Sequence, residues 1–423
     1  MRYIDLKYKP KKDVVCRFYL EPSYGVAFDD AAEKVASESS IGTWTEVETL
    51  KYEKKEILKL AAKVFSMDPK TGIIEIAYPI SAFEKNNIPQ MLSSFAGNIF
   101  GMRDISGLRL LDVSFPDKIV KSFKGPKFGI NGIRKLLKVY DRPLIGSIIK
   151  PKMGLSPKYH SKVAYECWVG GVDIVKDDEN LTSQDFNKFG ERVRRTLKMK
   201  EKAEKETGEK KIYMANITAE TKEMIKRAKF VKEEGGEYIM VDIITVGWAA
   251  LQTLREENED LKLVLHAHRA GHAAITRNER HGISMLVISK LIRLIGLDQL
   301  HIGTIVGKMA GGVEEVLSCR DVLVKQKNTE PLLDQNWGKI KSVFPVASGG
   351  LHPGHVPKLY EYFGKDVIIQ MGGGIHGHPK GTISGAKAAR QAIEAVVEGI
   401  PLREHAVTHT ELREAIEKWG IKK

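Results

Sequence analysis

The feature that most constrains this chain is a rhythm. From about residue 143 onward, a short apolar run ending in small or polar residues is followed by an amphipathic stretch, and the unit recurs eight times. The runs are LIGSIIK (144–150), VDIVKD (172–177), KIYMANI (211–217), EYIMVDI (237–243), KLVLHAH (262–268), LHIGTIV (300–306), VFPVAS (343–348) and DVIIQMG (366–372). They are near-continuously apolar, as strands covered on both faces must be. Residues 159–168, 184–202, 220–233, 249–257, 283–295, 313–324, 357–363 and 384–397 carry apolar side chains at helical spacing. Eight strand-then-helix units are the count of a (β/α)₈ barrel. An open doubly wound sheet is the alternative, because alternation alone does not show closure.

The first part of the chain reads differently. Strand-like 14–20, 73–80 and 108–115 alternate with helix-like 29–38 and 54–65, and the Pro- and Gly-containing stretch 116–132 reads as a connection. The expected architecture is therefore α/β, with a ferredoxin-like α+β domain over 1–122 and a TIM barrel over 123–423.

Composition narrows the function classes without choosing one. Of 423 residues, 42% are hydrophobic and 29% charged, which excludes collagen-like and disordered chains. No apolar run approaches the roughly 20 residues of a membrane-spanning helix. The start, MRYIDLKYKPKKD, lacks the apolar core of a secretion signal, so the expected compartment is the cytoplasm and no membrane partner is expected. Cys16, Cys167 and Cys319 form no CxxC pair and read as reduced bystanders. Lys plus Arg, 67, exceeds Asp plus Glu, 54, giving a net charge of +13. That suits an acidic partner such as a phosphorylated metabolite. No finger, knuckle or aromatic signature accompanies it, so nucleic acid is not expected.

Barrel enzymes build their sites at the C-terminal ends of the strands. There the chain places Lys150 and Lys152, then Lys176, Asp177, Asp178 and Glu179, then His266, His268, Arg269 and His272, then His301 and Lys308, and finally SGGLH (348–352) and GGGIHGH (372–378). Two carboxylates in KDDE suit a hard cation such as Mg²⁺; an isolated KDDE is also a common surface ion-pair cluster. A neutral lysine that captures CO₂ becomes a carbamate, an anionic oxygen ligand. The glycine clusters allow backbone N–H groups to converge on a phosphate, although tight turns need glycine anyway. Arg269 and His301 are placed to meet a second phosphate. HxHRxxH reads as catalytic, as hydrogen-bonded structural histidines, or as a zinc site.

Together, IKPKMGLS, GGVDIVKDDEN, LHAHRAGHAA, HIGTIVGK, PVASGGLHPGH and QMGGGIHGHPKG resemble the large subunit of ribulose-1,5-bisphosphate carboxylase/oxygenase, rubisco. ESSIGTWTEV (38–47) and AGNIFGM (96–102) resemble the family's N-terminal motifs, and the short chain looks most like archaeal form III. The resemblance implies Mg²⁺ held by carbamylated Lys176, Asp178 and Glu179, with activating CO₂ as the carbamate. It implies Lys150 as general acid with Lys152 nearby, His268 as a further base, and Lys308 as the loop lysine facing CO₂. Arg269, His301 and Ser348 resemble one phosphate-side set. Thr43, Trp44, Gly350, Gly372 and Gly373 resemble the other, with Gly349 and Gln370 also substrate-binding. Glu38 and Asn98 match positions that reach into a neighbouring subunit's barrel. The implied substrates are ribulose 1,5-bisphosphate with CO₂ or O₂, in a homodimer or assembly of dimers without a small subunit, fed by nucleotide salvage. Ile148 replaces a threonine of plant-type enzymes and MAGG follows Lys308 where they carry a glutamate-containing loop. A rubisco-like enolase or isomerase of methionine salvage is the alternative activity.

Overall fold

A computed structural model describes residues 2–43, 45, 47–306 and 312–422. The chain forms two compact units: residues 1–125, 271–295 and 325–340 in one, and 126–270, 296–324 and 341–423 in the other. No helix among the described residues is long and apolar enough to cross a membrane.

In the first unit, strands β1 (Val14–Pro22), β2 (Lys63–Asp68), β3 (Ile73–Tyr78) and β4 (Ile105–Ser114) lie in the sheet order β4-β1-β3-β2, antiparallel throughout. Helix Phe28–Glu38 follows β1 and helix Ile88–Phe95 precedes β4, completing the βαββαβ order of a ferredoxin-like domain. The two-residue strand Gly282–Ile283 adds a parallel edge beside β4. The expectation of one helix over 54–65 is corrected: the helix is Lys54–Leu58, and the chain then enters β2. The helical part buries none of its side chains, whereas Ala61, Ala62 and Val64 are buried and β2 alternates inward and outward against β3. Edge-strand pairing with β3 thus overrides the helical reading of the end of this stretch.

In the second unit, eight parallel strands close into a barrel: β5 (Leu144–Ile148), β6 (Ile174–Lys176), β7 (Ile212–Asn216), β8 (Tyr238–Asp242), β9 (Val264–His268), β10 (Gln299–Gly303), β11 (Phe344–Ser348) and β12 (Ile368–Gln370). Closure comes from β12 pairing with β5, with Gln370 opposite Gly146. All eight expected strands are present, and the open-sheet alternative is excluded. The stretch 116–132 is more than a connection, because a helix, Gly129–Leu137, begins within it. Its Ile130, Ile133 and Leu137 pack with Leu144, Ile174, Met214, Met240, Val264, Val346 and Ile368, so the helix plugs the barrel floor. Each such side chain contributes about 2 kcal/mol by leaving water.

Polar groups at the floor are paired. Asp173, just before β6, receives both guanidinium arms of Arg142 at 2.7 Å and the Ile145 amide at 2.8 Å. Burial opposes ionisation of this carboxyl, but Arg142 outweighs it and holds the pKa at about 2. An unfolded aspartate titrates near 3.9, so the shift contributes roughly 2–3 kcal/mol above that pH, lost as pH falls through the folded value. Guanidinium chloride unfolding should therefore show stability dropping between about pH 4 and pH 2. Asp173→Asn should cost about 3 kcal/mol at pH 7 and flatten that acid limb.

Candidate active site

Side chains alternate along a strand, so the residues that fill the barrel floor dictate which ones line its mouth. Ile174 lies in the floor, and Lys176 and Asp178 follow it on the same face. Val264 is followed by His266 and His268, Met240 by Asp242, Met214 by Asn216, Val346 by Ser348 and Ile368 by Gln370. Apolar below and polar above, the barrel interior changes character within one residue pair. Asp177 faces the other way, into Arg192 Nε at 3.0 Å and Tyr213 Oη at 2.8 Å, and also accepts the Asn216 amide. It anchors the strand end and is no part of the mouth.

Lys176 is 1% exposed. Its Nζ donates to the Asp177 carbonyl at 2.8 Å and to Met240 Sδ at 3.2 Å, and it stands 4.0 Å from Glu179 Oε2. Burial pushes its pKa down, against the opposing pull of Glu179, Asp178 and Asp242. Burial also disfavours the charged form of Glu179, yet Lys176 and His268 hold that carboxyl at about 2. Lys150 Nζ donates to Asp178 Oδ2 at 2.5 Å, and Lys152 reaches Glu179 Oε1 at 3.4 Å. Asn180 Nδ2 donates to Asp178 Oδ1, while Asn216 Nδ2 donates to the Glu179 and Leu181 carbonyls at 3.1 Å, which fixes the loop.

His268 Nδ1 lies 2.6 Å from Asp242 Oδ1, and its Nε2 lies 3.7 Å from Glu179 Oε2. Since an ionised carboxylate only accepts, Nδ1 carries the hydrogen and Nε2 is turned to the carboxylate cluster. Behind it, His301 meets the His268 ring edge-on, with centroids 4.7 Å apart. His301 Nδ1 is 2.6 Å from Ser348 Oγ, His301 Nε2 is 2.8 Å from His266 Nε2, and His266 Nδ1 is 2.7 Å from Gln299 Oε1. Arg269 packs so closely on Gly303 that a Cβ there would come within 2.8 Å of Nη2. Among the described residues it forms no hydrogen bond or ion pair, and burial pushes its pKa down.

After β11, Gly349 and Gly350 have φ of 124° and 73°, a turn that strains any side chain. Gly372 follows β12, and a Cβ there would lie 3.1 Å from Lys150 Cε. Gly373 is open on that side. Gln370 is buried over Gly146, where a Cβ would come within 2.5 Å of Gln370 Cγ. Glu38 ends helix Phe28–Glu38, Thr43 is exposed in the loop beyond it, and Asn98 is exposed at the start of the turn Asn98–Gly101; all three belong to the first unit. Trp44 and Lys308 lie outside the described residues.

The donor set can be tested against a metal. Among the described residues, no group of three His, Cys, Asp or Glu side chains is arranged to hold one. His266 has both ring nitrogens engaged, and His272 Nδ1 meets Thr276, so the HxH zinc reading finds no convergent set. What does converge is Asp178, Glu179 and a buried lysine whose charged form is disfavoured. Two carboxylates and a lysine that gains an anionic oxygen on reaction with CO₂ fit a hard divalent cation. Sequence reasoning missed Asp242, Asn216 and Gln299. The first two occupy inward positions at strand ends, and counting by two from the floor residues finds them.

Two family profiles match the chain: "Ribulose bisphosphate carboxylase large chain, catalytic domain" over residues 129–419, and the corresponding N-terminal domain over residues 2–119. The chain is 55% identical to the ribulose bisphosphate carboxylase of Methanosarcina mazei, over 99% of this chain and 98% of that one. It is 52% identical to that of Methanocaldococcus jannaschii, over 99% and 100%. Its fold is similar to the dimeric archaeal rubisco of Hyperthermus butylicus, with a TM-score of 0.93 and 46% identity over 99% of each chain. It is also similar to the octameric rubisco of Pyrococcus horikoshii, with a TM-score of 0.91 and 47% identity over 100% and 97%.

Proposed function

The chain belongs to the ribulose bisphosphate carboxylase large-chain family, and on that premise we propose how its barrel mouth performs the reaction. The protein is a ribulose-bisphosphate carboxylase, a carbon–carbon lyase that joins CO₂ to ribulose 1,5-bisphosphate and yields two molecules of 3-phosphoglycerate. The observation that carries the mechanism is Lys176, buried beside two carboxylates with its ammonium form disfavoured.

The neutral Lys176 amine would add to CO₂ and release a proton, and the resulting carbamate, with Asp178 and Glu179, would hold Mg²⁺. The bound cation supplies Lewis-acid stabilisation of negative charge on the substrate oxygens. Asp178, held by Lys150 in this structure, would serve as a ligand to the cation, leaving the Lys150 ammonium to act as an acid. The Lys176 carbamate takes the C3 proton, and the resulting enediolate attacks CO₂ through C2. Lys308 would supply positive charge to the developing carboxylate. His268, oriented by Asp242, moves protons during hydration of C3. The C2–C3 bond then breaks, and Lys150 protonates the C2 carbanion.

Arg269, its guanidinium packed against Gly303 on the strand that carries His301, is the cation for one phosphate. The turns carrying Gly349, Gly350, Gly372 and Gly373 would receive the other. Gln370 lines the space between. In a dimer-based assembly, Glu38 and Asn98 of one subunit complete the barrel mouth of its neighbour. We place the enzyme in the cytoplasm.

Purified protein incubated with ribulose 1,5-bisphosphate, Mg²⁺ and labelled bicarbonate should form labelled 3-phosphoglycerate. Consumption of substrate with no label fixed would instead support an enolase or isomerase, and no consumption would overturn the substrate assignment.

A further inference from the structure

Behind the mouth runs a line of four side chains on three strands: Gln299 and His301 on β10, His266 on β9 and Ser348 on β11. Its three contacts are short, at 2.7, 2.8 and 2.6 Å, and three of its members are sealed from solvent, with Gln299 and His266 at 0% and His301 at 2% exposure. Both ring nitrogens of each histidine are used, so the line has no branch.

Such a line has a direction. Between two neutral imidazoles one nitrogen must donate and the other accept, and a ring that donates on one side accepts on the other. Burial pushes both histidines well below the usual range, so neither carries the second proton that would let it donate twice. The choice is therefore made at the buried end. Gln299 presents its amide oxygen to His266 while its Nε2 is buried without a hydrogen-bond partner among the described residues, and an oxygen can only accept. His266 is then protonated on Nδ1 and accepts on Nε2. His301 donates from Nε2 and accepts on Nδ1, and the Ser348 hydroxyl donates inward to it. Its lone pairs are left facing the mouth.

We propose that Gln299 and His266 are positioning residues that, through His301, make Ser348 an acceptor toward the ligand rather than a donor. Gln299 and His266 are both fully buried, so neither is exposed at the mouth. Their effect reaches it as an orientation of one hydroxyl, and it rests on the functional reading only in identifying what Ser348 meets. The arrangement separates charge from direction. Arg269 supplies positive charge on this side, and Ser348 discriminates for a ligand O–H at its own position. A ligand group able only to accept is rejected there, because it meets lone pairs.

The test reads the tautomers directly. Full-length protein with ¹⁵N-labelled histidine, free of substrate, is examined by long-range ¹H–¹⁵N correlation. The expected wild-type pattern is Nδ1–H at His266 and Nε2–H at His301. Gln299→Glu, which keeps an accepting oxygen, should preserve it. Gln299→Met, which removes the director at similar volume, should give mixed tautomers at both rings. In carboxylation assays Gln299→Met should lower kcat/KM by about tenfold, mainly through KM, the scale of one misdirected hydrogen bond. Gln299→Glu should restore most of it. The opposite tautomers in the wild type, or an unchanged pattern in Gln299→Met, would overturn the proposal. The tautomer experiment needs no turnover, so a wild-type protein that fixes no carbon would strike the functional reading and leave this one to stand or fall on its spectra.

Discussion

Lys176→Ala should abolish carboxylation, lowering the rate by at least about 10³-fold, because it removes a metal ligand and the base together. The fold should survive. Lys176 is buried with a long ion pair to Glu179, at 4.0 Å, and burial disfavours its ammonium form. Deleting it removes a desolvation cost, but also the side chain's packing and the attraction that helps hold Glu179 ionised. These terms oppose one another, so the protein should still fold, with an unfolding free energy within about 2 kcal/mol of wild type. The wild type should require both CO₂ and Mg²⁺ before reaching full rate, because the third anionic ligand does not exist until the lysine has reacted. Initial rates after preincubation with each alone and with both would show this, and ¹³CO₂ should give a carbamate resonance that Lys176→Ala lacks. Full initial rate from CO₂-free, metal-free enzyme would sink the assignment.

The second large effect is a recovery. Glu38→Gln and Lys176→Ala are each expected to be inactive, the first in the N-terminal unit and the second in the barrel. If the mouth of each barrel is completed by Glu38 of a neighbouring subunit, a mixed dimer holds one site with both lesions and one with neither. Half of the dimers are mixed after statistical exchange, and each contributes one intact site, so about a quarter of wild-type activity should return. Mass spectrometry establishes that exchange has occurred. Exchange without any return of activity would mean that each site is built within one chain.

Much of this site is written locally. Lys176, Asp178 and Glu179 follow an apolar run, and so do His266 and His268. A reader who knows that strand side chains alternate can carry the inward face upward from Ile174 or Val264. That is why the eight strands, the barrel and the KDDE cluster were legible without coordinates. The N-terminal unit was less so. Residues 54–65 read as one helix, but only Lys54–Leu58 is helical, and from Lys63 the chain pairs with β3 instead.

What the sequence by itself determined is the inventory of the mouth: which side chains stand at strand ends, and on which face. What only the tertiary structure decided is who meets whom. Gln299 lies 33 positions from His266, and His301 lies 47 from Ser348, so their bonds exist only because β9, β10 and β11 are neighbours in a particular register. The same holds for Asp242 against His268 and for Lys150 against Asp178. Alternation is a property of one strand and can be read along it. Register is a property of a pair, set by the packing of floor residues from every strand at once, and it becomes visible only when the barrel has closed.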